Sequence, residues 1–130
     1  MDSAPAPAEQ ARQTPYELLG GEEALRRLVD RFYDIMDTDP AAAHLRAIHA
    51  PDLGPMRKLL FEFFSGWMGG PRLYSACVMS AHRKVVIGDR ERDEWLACMK
   101  RAAEETEMAP DLREAFMGIM TRMADGMRNK

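Results

Sequence analysis

Between Pro55 and Met68 seven bulky apolar residues, Met56, Leu59, Leu60, Phe63, Phe64, Trp67 and Met68, recur at helical spacing before Gly69-Gly70-Pro71 interrupts the run. Nothing else in the chain constrains the fold as tightly. A stripe that wide and aromatic has to be covered by other helices or by a ligand. A second stripe, Leu25, Leu28, Val29, Phe32, Tyr33 and Met36, follows the same i, i+3, i+4, i+7 rule over Glu22 to Met36.

The remaining elements read in order. Thr14, Pro15 and Glu17 spell a capping box for a short helix stopped by Gly20-Gly21. Asp37 to Pro40 ends the first long helix and caps a short one reaching Ile48, and His49 to Asp52 forms a loop. From Arg72 to Gly88 the pattern is weak. A short helix around Ser75–His82 and a loop are expected there, and the apolar triplet Val85-Val86-Ile87 has no strand to pair with. Asp89 is expected to cap a helix running to Met108, with Trp95, Leu96, Met99, Ala102 and Ala103 inward. Pro110 opens a last helix carrying Leu112, Phe116, Ile119, Met120, Met123 and Met127. The expected fold is all-α, with residues 1–13 a mobile tail and residues 14–130 one domain.

Composition narrows the function. The 130 residues carry a net charge of −3 with basic and acidic side chains interleaved, which offers nucleic acid no footprint. No apolar run reaches the length of a membrane span and no signal core precedes the domain, so a cytoplasmic protein is expected. Cys77 and Cys98 form no CxxC and are read as reduced thiols, Cys98 as a small buried hydrophobe. The three histidines, His44, His49 and His82, lack the spacing of a zinc site, and no phosphate loop or nucleophile elbow occurs.

A single histidine in a helical domain rich in Phe, Trp, Leu and Met can serve as the one protein ligand of a haem iron, leaving the other face open to a diatomic gas. Tyr33 and Trp95, amphipathic residues on two apolar stripes, are the hydrogen-bond donors such a face needs. Taken singly, Tyr33 and Trp95 read as core residues and His82 as a surface or capping residue. The methionines of the last helix read as packing.

In combination these residues resemble the truncated, two-over-two haemoglobins, and group II of that family most closely, over Tyr16 to Leu112. The resemblance rests on Gly20-Gly21, Arg31-Phe32-Tyr33, Gly69-Gly70-Pro71, and His82 followed by Glu91-Arg92-Asp93-x-Trp95-Leu96-x-Cys98-Met99. It implies a two-over-two helical sandwich enclosing haem b. His82 would be the proximal ligand, and Tyr33, Trp95 and His49 the distal residues around bound O₂, CO or NO. Met56, Leu60 and Phe63 would lie against or behind the porphyrin, Phe32 behind it, and Tyr74, Arg83, Lys84 and Arg72 are candidates for its propionates.

The chain departs from the family pattern twice. The Tyr74–His82 stretch is short, and Met56 stands where a small residue is common at the distal gate, where its thioether would restrict entry or approach the iron. The function implied is tight O₂ retention, sensing or storage. The alternative is a redox enzyme, an NO dioxygenase or peroxidase-like catalyst, that needs a separate reductase because no flavin or nicotinamide motif is present. Oligomeric state, monomer or homodimer, stays open. A haem-free helical module would instead show no Soret band.

Overall fold

The computed structural model describes residues 13–73 and 85–129. The expected N-terminal tail, the Ser75–His82 helix, Cys77, and the candidate residues Tyr74, His82, Arg83 and Lys84 lie outside the described residues.

Among the described residues six α-helices follow one another: α1 (Pro15–Leu19), α2 (Gly21–Thr38), α3 (Ala43–Ala47, preceded by a 3-10 turn at Pro40–Ala42), α4 (Gly54–Trp67), α5 (Asp89–Glu105) and α6 (Pro110–Met127). Among the described residues there is no strand. The long helices form two pairs, α2 with α4 and α5 with α6, joined where α2 lies along α5. This is the two-over-two sandwich expected.

The expected capping box at α1 is present, with Glu17 N–H donating to Thr14 Oγ1 at 3.2 Å and Thr14 N–H to Glu17 Oε1 at 3.1 Å. α1 then docks on the end of α4, where Tyr16 N–H donates to the Met68 carbonyl at 2.9 Å. That approach explains the glycine pair after α4. A Cβ on Gly69 (φ 89°) would meet Thr14 Cβ at 2.8 Å, and one on Gly70 would sit 2.5 Å from the Tyr16 ring.

The packed core runs along the seam of α2 with α5. Leu25, Leu28, Phe32, Met99, Ala102 and Ala103 have no exposed surface, and the two alanines permit close helix contact. Cys98 is a free buried thiol, as expected, and burial pushes its pKa up to about 11.

Three expectations are corrected. The N-cap of α5 is Gly88, not Asp89; Gly88 N–H donates to Glu91 Oε1 at 2.6 Å, while Asp89 is the first helical residue and accepts from Arg128 at 2.7 Å. α5 stops at Glu105 rather than Met108. Glu107 takes φ 62°, Met108 N–H reaches back to the Ala103 carbonyl at 3.0 Å, and Glu107 N–H to Glu104 at 3.1 Å. This is a Schellman ending with glutamate where glycine is usual, closed by burial of Met108.

On α4 the single expected face divides. Phe61, Phe64, Ser65 and Met68 face the core, and Leu59 and Trp67 are 39% and 37% exposed. Arg26 covers Phe61 with its guanidinium 4.2 Å from the ring centroid, and Ser65 Oγ donates to the Pro71 carbonyl at 2.7 Å, which is how a serine is tolerated inside. No helix among the described residues is long and apolar enough to cross a membrane.

Candidate functional site

Between the two helix pairs lies a cavity of about 320 Å³. Met56, Leu59, Leu60 and Phe63 line it from α4, and Val85, Ile87, Met123 and Met127 line it as well. Tyr33 reaches it from α2, Ile48 and His49 from the end of α3, and Glu91, Arg92 and Trp95 from α5. The walls are apolar, with a polar group at a few positions.

Tyr33 and Trp95 are held by one residue. Phe32 packs edge-on against Tyr33 at 4.9 Å between ring centroids and against Trp95 at 5.0 Å. Phe32 itself is fully buried and lies behind both rings rather than on the cavity wall. Among the described residues neither the Tyr33 hydroxyl nor the Trp95 indole N–H has a hydrogen-bond partner, and both residues line the cavity. Burial raises the Tyr33 phenol far above its ordinary pKa, against a smaller downward pull from Arg57. It therefore stays an O–H donor across the physiological range.

His49 completes this end of the cavity, its ring 6.3 Å from that of Tyr33 at 77°. Its Nδ1 lies 2.8 Å from the Leu45 carbonyl. A carbonyl only accepts, so Nδ1 carries a proton, which in the neutral tautomer leaves Nε2 as an acceptor.

Two supports of this arrangement were not legible in the sequence. Arg57, on α4, donates to the Asp30 carbonyl at 2.9 Å and to Asp34 Oδ1 at 2.8 Å, and its guanidinium lies 5.8 Å from the Tyr33 ring centroid. It ties α4 to α2 at the level of Tyr33. His44 and Glu91 pair across α3 and α5, and Leu45 N–H donates to Glu94 Oε1 at 3.0 Å. These bonds hold the short α3, and so His49, against α5. The Gly88 N–H and His44 together keep the Glu91 carboxyl below its ordinary pKa.

Of the residues expected from sequence, Tyr33, His49, Met56, Leu60, Phe63 and Trp95 therefore share one cavity, and Phe32 supports two of them from behind. The methionines of α6, expected as packing, divide: Met120, Met123 and Met127 reach the cavity, and among them only Met120 is fully buried. Apolar spacing alone cannot distinguish a wall that faces another helix from one that faces a cavity.

Residues 14–129 match the family model described as bacterial-like globin. The group 2 truncated haemoglobin YjbI of Bacillus subtilis (strain 168) is 31% identical over 126 residues, covering 93% of this chain and 92% of its own. A group II 2-on-2 haemoglobin from the plant pathogen Agrobacterium tumefaciens superposes with a TM-score of 0.87 at 37% identity, covering 98% of each chain. A truncated oxygen-avid haemoglobin from Bacillus subtilis gives 0.82 at 31% identity, covering 90% of this chain and all (100%) of that one. Globins bind haem and, through it, diatomic gases. With the two helix pairs, the cavity between them and these matches in agreement, the chain belongs to the bacterial-like globin family, in its group II truncated haemoglobin branch.

Proposed function

We propose that this chain holds haem b through His82 and retains O₂ by hydrogen bonds from Tyr33 and Trp95, with His49 closing the same end of the pocket. The observation that carries the reading is the convergence of two unengaged donors, Tyr33 O–H and Trp95 N–H, on one apolar cavity, both propped by Phe32.

The residues present fit haem. Met56, Leu59, Leu60 and Phe63 from α4 and Val85, Ile87, Met123 and Met127 offer apolar lining, and Tyr33 and Trp95 both pack on Phe32. Leu59 and Ile48, each 39% exposed, extend apolar surface to the cavity edge, as suits a flat hydrophobic group larger than its closest contacts. When bound, haem supplies an iron centre that takes O₂, CO or NO reversibly.

The protein's part is to orient and to donate. Tyr33 keeps its proton, Trp95 has only a donor to offer, and His49 stands beside the Tyr33 ring. Each donor bond to a ligand bearing partial negative charge contributes about 1.5–3 kcal/mol, enough for two of them to slow release by orders of magnitude. Retention, sensing or storage follows more naturally than transport. That one relative is described as oxygen-avid accords with this reading. A cytoplasmic location belongs to it as well, in keeping with the free thiol of Cys98.

Optical spectra of the haem-reconstituted chain in ferric, ferrous and ferrous-CO states, beside His82→Gly, test the proposal. It requires a Soret band with a CO complex typical of histidine-ligated globins, lost or altered in His82→Gly and restored by imidazole. Absence of stoichiometric haem uptake would contradict it, and uptake indifferent to His82 would move the ligand elsewhere.

A further inference from the structure

The segment Val85 to Ile87 forms one wall of the cavity yet belongs to no helix or strand. Its backbone is satisfied from the far end of the chain. Asn129 N–H donates to the Ile87 carbonyl at 2.9 Å, Ile87 N–H donates to Asn129 Oδ1 at 2.7 Å, and Asn129 Nδ2 donates to the Val85 carbonyl at 2.7 Å. Among the described residues, Asn129 is the only hydrogen-bond partner of the Val85 and Ile87 backbones.

The chemistry is specific to an asparagine side chain. One end of the amide must accept from an N–H while the other donates to a carbonyl, so a single orientation satisfies both. The neighbouring residues form ion pairs separate from this contact: Arg128 pairs with Asp89 at 2.7 Å, and Arg92 with Asp125 at 2.7 Å. Asn129 acts just after Met127, which lines the same cavity, so the end of α6 and the wall at Val85–Ile87 are fastened as one surface.

We propose that Asn129 is a positioning residue for the haem pocket, a clamp that holds Val85 and Ile87 in place as a wall and slows escape of haem past them. The proposal rests on the haem reading above. Without the clamp the segment retains its apolar side chains and loses two of its three anchors, so the wall opens more often while the helices stay folded.

The test uses the full chain loaded with haem and compares Asn129→Ala with Arg128→Ala, which removes a surface ion pair at the same chain end and leaves the clamp intact. Two readouts are taken: hydrogen exchange at the Ile87 amide, and the rate of haem transfer to excess apomyoglobin. Asn129→Ala is expected to speed both by about tenfold, as loss of two net hydrogen bonds implies, and Arg128→Ala to leave both within about twofold. Asn129→Asp keeps the acceptor for Ile87 and loses the donor to Val85. It should fall between wild type and the alanine variant, and it supplies the same readouts should the alanine variant not fold. Haem transfer unchanged in the Asn129 variants, or raised equally by Arg128→Ala, overturns the clamp. A wild-type chain that takes up no haem overturns the proposed function instead, and Ile87 exchange then still reports whether the bonds exist.

Discussion

Along the seam of α2 and α5, Phe32, Met36, Met99, Ala102 and Ala103 are at most 1% exposed, whereas across the cavity Met56, Leu60 and Phe63 on α4 are only half-buried and Leu59 is 39% exposed. Both regions are built from the same residue types at the same helical spacing. The first is closed by other protein side chains; the second lines the cavity. Apolar periodicity thus reports that a face must be covered, and burial in the fold reports what covers it.

Truncating one residue from each region in the haem-free protein should separate the two. Phe32→Ala should cost about 3–5 kcal/mol in urea unfolding, since it leaves a void beneath both Tyr33 and Trp95. A cost below about 1 kcal/mol would mean the seam is not the core. Enlarging the seam is the converse: Ala102→Leu should destabilise by about 1–3 kcal/mol through overpacking, again in haem-free unfolding. Leu60→Ala, on the cavity wall, should cost less than about 1.5 kcal/mol in the same measurement because the side chain is already partly solvated, and should show its effect in faster haem transfer. A larger loss for Leu60 than for Phe32 would reverse the assignment of the two regions.

The Tyr33 phenol sharpens the comparison further, because it belongs to both regions. Its pKa is raised in the folded state, so the neutral form is favoured there; this contribution is complete below the ordinary tyrosine value of 10.0 and is lost as pH rises above it, when the unfolded chain ionises first. Tyr33→Phe should therefore flatten part of the fall in stability above about pH 10, measured by unfolding at a series of alkaline pH values. An identical alkaline fall in the two proteins would show that the phenol is not protected.

Much of the fold is legible in the amino-acid sequence. The Thr14–Glu17 box, the glycine pair at Gly69-Gly70 and the α2 stripe depend on neighbours along the chain, and they appear where expected. What fails to show depends on distant partners or on unusual local chemistry. Glu107 ends α5 in a conformation usually given to glycine, so nothing in the residue types marks the stop. Phe61 and Ser65 look like outer positions until Arg26 and the Pro71 carbonyl supply their partners.

At the site, Tyr33, His49 and Trp95 are each ambiguous alone, and only their order along the chain draws them together. Arg57 reads as an ordinary surface cation because Asp30 and Asp34 are far from it in sequence. Asn129 carries no signal at all, since its partners at Val85 and Ile87 lie more than forty positions away.

Under the proposed function the cavity end of this molecule acts on a ligand while the seam only holds the fold. Stopped-flow O₂ dissociation from the ferrous haem protein, wild type beside Trp95→Phe, addresses it most directly, with thermal unfolding of both recorded in parallel. Dissociation at least about tenfold faster in Trp95→Phe is expected, from the loss of one charge-assisted donor, with little change in stability. An unchanged dissociation rate would contradict it and return Trp95 to the role of a packing residue.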